Sequence, residues 1–160
     1  DDHQPGKLFH SASYTLNIDR THLILSERGD ADREMEISLE TKSIHTANFI
    51  LQVEKKMIGD YKLIKSREIA FLDYDKLSFP LKLRKWEEGD RFQPFGMKGQ
   101  KKVSDFMIDE KIPVNLKNKV FVLKSGSDIV WVVGRRIDDR YKITESTKNI
   151  LKITKVRHHV

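Results

Sequence analysis

The sequence has no cysteine, two tryptophans, four prolines and no long apolar run. The missing thiols exclude a disulfide scaffold, thiolate zinc sites, iron–sulfur clusters and cysteine nucleophiles, and they fit a reducing, cytoplasmic setting. The longest uninterrupted apolar stretch is Ile129-Val130-Trp131-Val132-Val133, far short of the roughly 20 residues that span a bilayer, so no membrane is expected. The opening Asp1-Asp2-His3-Gln4 has neither methionine nor an apolar stretch behind it. It is no signal peptide, and the chain reads as part of a longer protein. His3, His10, His22, His45, His158 and His159 show no His-x-His or His-Glu-x-x-His spacing, so no metal site is expected. Gly-x-Ser-x-Gly, Gly-x-Gly-x-x-Gly and the Gly-x-x-x-x-Gly-Lys-[Ser/Thr] phosphate loop are absent as well.

What is present is charge, unevenly placed. Residues 1–75 hold 10 basic and 14 acidic side chains, a net of −4, whereas residues 76–160 hold 20 and 10, a net of +10. Such asymmetry suggests a face for a polyanion, or a lysine-rich surface that is merely solvated.

The apolar pattern is mostly that of strands. Period-two alternation runs through Tyr14–Ile18, Met35–Leu39, Phe49–Val53 and Leu77–Leu83. Pro80 puts the last of these at an edge or interrupts it. Leu23–Leu25 is a short buried run. Ile69–Leu72, Val120–Leu123 and Ile129–Val133 read as strands covered on both faces. Ser125-Gly126-Ser127-Asp128 between the last two predicts a hairpin, and Arg28–Asp32 another turn. Val103, Phe106 and Met107 have helical spacing ahead of Pro113, with Ser104 or Gln100 to begin the helix. The expectation is an α+β fold, mostly antiparallel sheets in a sandwich-like arrangement, with one or two short helices. Residues 1–7 are a linker or disordered start. Residues 8–157 form a single domain with an acidic half over 8–75 and a basic half over 76–157.

Nothing in the sequence suggests a carboxylate with a raised pKa. Asp138 and Asp139 sit among Arg135, Arg136 and Arg140, where ion pairing is the expected role. The Gly96-Met97-Lys98-Gly99-Gln100-Lys101-Lys102 run reads two ways. It is a phosphate cradle at a helix start, where lysines opposing the helix dipole would welcome an anion, or it is a solvated loop. Trp86, Phe92 and Phe95 read as core, although cations alternate with them and exposed aromatics stack on bases. Asp90 is expected to cap a turn or to pair with Arg91.

The block Arg84-Lys85-Trp86-Glu87-Glu88-Gly89-Asp90-Arg91-Phe92-Gln93-Pro94-Phe95-Gly96-Met97-Lys98-Gly99-Gln100-Lys101-Lys102-Val103-Ser104-Asp105-Phe106 resembles the C-terminal domain of tRNA(Ile)-lysidine synthetases. The likeness continues through Lys111-Ile112-Pro113 and Trp131-Val132-Val133-Gly134-Arg135-Arg136-Ile137, and covers residues 75–153. It implies a fold shared with a domain of the phenylalanyl-tRNA synthetase β subunit. It also implies a parent ligase that uses ATP and magnesium to adenylate the wobble cytidine of tRNA(Ile) with a CAU anticodon, before lysine displaces AMP. That chemistry belongs to an N-terminal ATP-pyrophosphatase domain with a Ser-Gly-Gly-x-Asp-Ser loop, which this sequence lacks, so no catalytic residue and no cofactor is assigned here. What the resemblance implies for this chain is contact with the tRNA acceptor stem. Arg84, Lys85, Arg91, Lys98, Lys101, Lys102, Arg135, Arg136, Arg140 and Lys142 are the candidates for it, and alternation will send some to the wrong face. The competing reading is a structural or homodimer-forming appendage.

Overall fold

The alternating runs become strands in whole or in part. The computed structural model describes residues 33–158 and, before them, three strands; the Arg28–Asp32 turn, His3, His22 and His159 lie outside the described residues, as does most of the expected 1–7 linker. The chain divides into two compact units, 1–33 and 34–160. The expected single span over 8–157 runs across that division.

In the first unit β1 (Lys7–His10), β2 (Tyr14–Ile18) and β3 (Leu23–Glu27) form an antiparallel sheet in the order β1-β2-β3. The second unit holds β4 (Met35–Ile37), β5 (Ser43–His45), β6 (Phe49–Met57), β7 (Ile69–Asp73), β8 (Leu81–Lys85), β9 (Arg91–Phe92) and β10 (Lys101–Lys102). Helices α1 (Val103–Asp109) and α2 (Val114–Lys117) follow, then β11 (Phe121–Ser125), β12 (Asp128–Val132), β13 (Arg136–Ile137) and β14 (Asn149–Arg157). One sheet runs β13-β12-β11-β8-β4 and the other β5-β6-β14-β7, all antiparallel. The charge step at Asp75 is no structural boundary, since β4 pairs with β8 and β6 with β14 across it.

The two sheets face one another over a common core. Ile37, Leu81, Leu83, Leu123 and Trp131 come from the five-stranded sheet, and Leu51, Ala70, Leu72, Leu151 and Ile153 from the other. Phe49 meets Phe121 edge to face between them, with ring centroids 5.2 Å apart. The opposite face of the five-stranded sheet is covered too. Val122, Ile129 and Val132 pack there against Val103, Phe106 and Met107 of α1 and against Phe92. That double cover is why 120–123 and 129–133 read as continuous apolar runs rather than alternating ones. The strand expected over 77–83 starts only at Leu81, directly after Pro80, whose ring nitrogen has no proton to give a ladder.

Helix α1 forms where its apolar spacing predicts, but neither Ser104 nor Gln100 starts it. Lys102 is the N-cap residue and makes no side-chain cap. Its other end is closed by backbone. Lys111 takes φ 55°, its N–H donates to Ile108 O at 2.9 Å, and Ile112 N–H donates to Met107 O at 3.0 Å. That is a Schellman closure with a lysine where glycine is usual, and buried Ile112 packs beside Met107 as the closure requires.

Candidate nucleic-acid interface

The basic block folds into a hairpin, β9–β10, held at both ends. At its entry, Asp90 accepts the Glu87 N–H at 2.7 Å, capping the Glu87–Asp90 turn. Its partner is Arg84, not the expected Arg91. Arg84 grips both carboxylate oxygens at 2.9 and 3.0 Å, with both side chains mostly buried. Burial pushes the Asp90 carboxyl up, but the Arg84 fork and the Glu87 N–H outweigh it and hold it below the ordinary carboxylate value. The same pairing raises the Arg84 guanidinium. Alternation explains the choice of partner. Phe92 points into the core, so its neighbour Arg91 must point to solvent.

The register then sets Lys102 directly opposite Arg91 and Lys101 opposite Phe92. Arg91 and Lys102 therefore share the exposed face, two like charges abreast. Lys101, on the buried side, is ion-paired to Asp109 of α1. Of the two readings of the 96–102 run, the cradle at a helix start is not what this segment builds. Lys101 and Lys102 lie on a strand ahead of α1, and Val103 N–H is used by Asp90 O at 2.9 Å.

The loop between the two strands is fixed by residues 137–139. Gln93 N–H donates to Asp138 at 2.8 Å, Phe95 N–H to Ile137 O at 3.0 Å and Gly96 N–H to Asp139 at 3.0 Å. The Gly96 N–H is the largest reason that the Asp139 carboxyl sits below its ordinary value, with Lys142 second. Asp138 is fully buried and also holds Arg140 through Nε and a terminal nitrogen, each at 3.0 Å. Ion pairing is thus what these carboxylates do, as expected. On this anchored loop Phe92 is core and Trp86 half-buried with its Nε1 donating to Lys117 O at 2.7 Å. Phe95 is not core: it is 51% exposed, next to Met97 at 40%. The turn Pro94-Phe95-Gly96-Met97 turns its ring outward, with the Lys142 ammonium 6.0 Å from the centroid.

The ten candidate cations accordingly part into groups. Arg84, Lys101, Arg136, Arg140 and Lys142 are each engaged with a carboxylate: Asp90, Asp109, Glu110, Asp138 and Asp139 in turn. Lys85 is half-buried at the end of β8. Arg91, Lys98, Lys102 and Arg135 have no ion pair among the described residues. Reading the sequence alone missed Lys119, Lys155 and Arg157, which share a cleft with Arg135. The signal that could have found Lys155 and Arg157 is the alternation Leu151, Ile153, Lys155, Arg157, an apolar face turning cationic, whereas nothing in the pattern marks Lys119. Among the described residues no group of histidines and carboxylates is placed to hold a metal ion. No helix among them is long and apolar enough to cross a membrane.

Residues 81–154 match the family described as the TilS substrate C-terminal domain. The tRNA(Ile)-lysidine synthase of Parabacteroides distasonis is 44% identical over 149 residues, covering 92% of this chain and 34% of that protein. That of Bacteroides thetaiotaomicron is 35% identical over 148 residues, covering 92% and 32%. The chain spans about a third of the length of these curated relatives. A solved TilS C-terminal domain superposes with a TM-score of 0.64 at 17% identity, over 80% of this chain and 100% of that one, which shows the shared fold. A fragment of the phenylalanyl-tRNA synthetase β subunit from Pyrococcus horikoshii reaches a TM-score of 0.49 over 55% of this chain and 28% of that one, at 18% identity, too slight a likeness to argue from.

Proposed function

Residues 81–154 belong to the TilS substrate C-terminal domain family, and from that premise we propose that this chain is the RNA-docking part of a tRNA(Ile)-lysidine synthase. ATP, magnesium and lysine are handled in this reading by a separate ATP-pyrophosphatase domain of the parent ligase. The chain's own task is to hold the acceptor stem while the wobble cytidine is modified elsewhere. An acceptor stem is A-form RNA, whose accessible features are phosphates, 2′-hydroxyls and the exposed end of the stack. The β9–β10 hairpin offers complementary groups: Arg91 and Lys102 side by side, Lys98 beyond them, and exposed Phe95 and Met97 at an anchored tip.

One observation carries the reading. Arg91 and Lys102 stand opposite one another in register, and neither has an ion pair among the described residues. Like charges directly opposite destabilise a ribbon, and a phosphate laid across the pair removes the conflict. Fluorescence anisotropy with tRNA(Ile) tests it. Arg91→Ala with Lys102→Ala should weaken binding by at least tenfold, while the denaturation midpoint moves by less than about 0.5 kcal/mol equivalent. Unchanged affinity in a folded variant sinks the proposal.

A second reading, an oligomerising appendage, draws on the exposed Met57, Ile58, Leu63 and Ile64 at the end of β6. A tight dimer by sedimentation that is indifferent to tRNA would favour it over RNA docking.

A further inference from the structure

Lys155 and Arg157 stand where a core residue belongs. On β14, Ile153, Lys155 and Arg157 share a face, and their partners on β6 are Val53, Leu51 and Phe49, all buried between the two sheets. The inner face of the sandwich therefore turns cationic at one open end. The Lys155 ammonium lies over the Phe49 ring, 5.3 Å from its centroid, and 3.9 Å from Glu68. Across the gap the β12–β13 turn makes room for it. Gly134 takes φ +74°, and a Cβ there would stand 2.9 Å from Lys155 Nζ. Arg135 follows immediately. Lys119 enters from the α2–β11 link. His158 is pinned with its Nε2 2.9 Å from Thr46 O.

These residues line a cleft of about 340 Å³ that contains no carboxylate in its walls. Glu68 is not among the lining residues, but its carboxylate stands 3.9 Å from the Lys155 ammonium and beside Gly134. Arg135, Arg157 and Lys119 have no ion pair among the described residues. Burial, then the positive Arg135 and Arg157, push the Lys155 ammonium below its ordinary value despite Glu68. Four cations are gathered here against their mutual repulsion, two of them guanidinium groups, whose planar forks suit a tetrahedral oxyanion. A second cleft beside β6, of about 630 Å³, is lined by Glu40 and Glu54 as well as Lys42, Lys55 and Lys56 and shows no such bias.

We propose that the open end of the sandwich is a phosphate seat, with Lys155 at its floor and Arg135, Arg157 and Lys119 around its mouth. The phosphate comes either from an RNA backbone or from a small free ligand. The inference rests on the function proposed above only for the RNA source.

Amide chemical shifts of the chain, titrated with inorganic phosphate against chloride at matched ionic strength, test it. Phosphate should move residues 133–135 and 155–157. Lys119→Ala with Arg157→Ala, both at exposed positions, should weaken that response by about tenfold. A response no larger than chloride's, or one unchanged in a folded double variant, overturns the proposal. An acceptor-stem minihelix that displaces phosphate from these residues assigns the seat to RNA, and phosphate retained beside bound RNA assigns it to a small ligand. RNA binding through Arg91 and Lys102 without any phosphate response sinks the seat and leaves the docking function standing. A phosphate response without tRNA binding does the reverse.

Discussion

Arg84 is the residue whose role differs most from its sequence reading, whereas Asp90 caps its turn as expected and differs only in pairing with Arg84 instead of Arg91. Arg84 is a charged candidate for RNA on paper and a structural clamp in the fold. Truncating it leaves the mostly buried Asp90 carboxylate without its partner, so Arg84→Ala should cost about 2–3 kcal/mol in urea unfolding. The same pair sets an acid limit. Asp90 has a folded-state pKa below its reference value of 3.8. Its contribution is present above that value and is lost as pH falls through the lower, folded one. Asp90→Asn should remove this part of the acid transition, read as a flatter stability profile on the acid side. Lys111 gives a prediction of opposite sign. It holds φ 55° at the helix closure, a conformation that costs a side-chain-bearing residue about 1 kcal/mol, so Lys111→Gly should raise stability by up to that amount. The Arg84 clamp and the Lys111 closure were not readable from residue type. The clamp depends on which side chain alternation turns inward and what then lies across from it.

Among the elements, the strands with clean alternation were legible, and so was the 103–107 helix. β14 was not. Lys152 and Lys155 make it look like a solvated tail, yet it lies between β6 and β7 in its sheet and buries Ile150, Leu151 and Ile153. Its lysines sit on the outer face or at the sandwich end, where the stems can cover apolar surface while the heads reach water. Ile153→Ala should cost about 2–4 kcal/mol, a core value that a tail residue would not show. Trp131→Ala, on β12 between both apolar layers, should cost about 3–5 kcal/mol. Thermal or urea unfolding measures both. β13 was missed for a different reason: two residues carry no periodicity, and only their pairing with Val132 and Trp131 makes them a strand.

For the whole molecule, the +10 half suggested either a face for a polyanion or a merely solvated surface, without saying which cations would form such a face. Five of the ten candidate cations are consumed in ion pairs that hold the 84–142 region together. Of the other candidates, Arg91, Lys98 and Lys102 lie on the β9–β10 hairpin and Arg135 lines the sandwich-end cleft. RNA affinity should therefore fall linearly in log–log against salt, and removing Arg91 or Lys102 should lower the slope by about 1 each. Removing Arg84 should cost stability without that change of slope, which separates phosphate contacts from structural charge.

Composition, alternation and the quoted block were enough to determine a β-rich fold with a short helix, the absence of the phosphate loop and thiol chemistry, and the family of the basic half. Those properties are local or additive, written in residue type and spacing. Which cations are spent and which remain was decided only when strands from distant parts of the chain met. Register pairs Lys102 with Arg91, sends Lys101 to Asp109 and brings Arg135 over to Lys155. A charge count cannot separate a clamp from a contact, because the difference lies in what stands opposite.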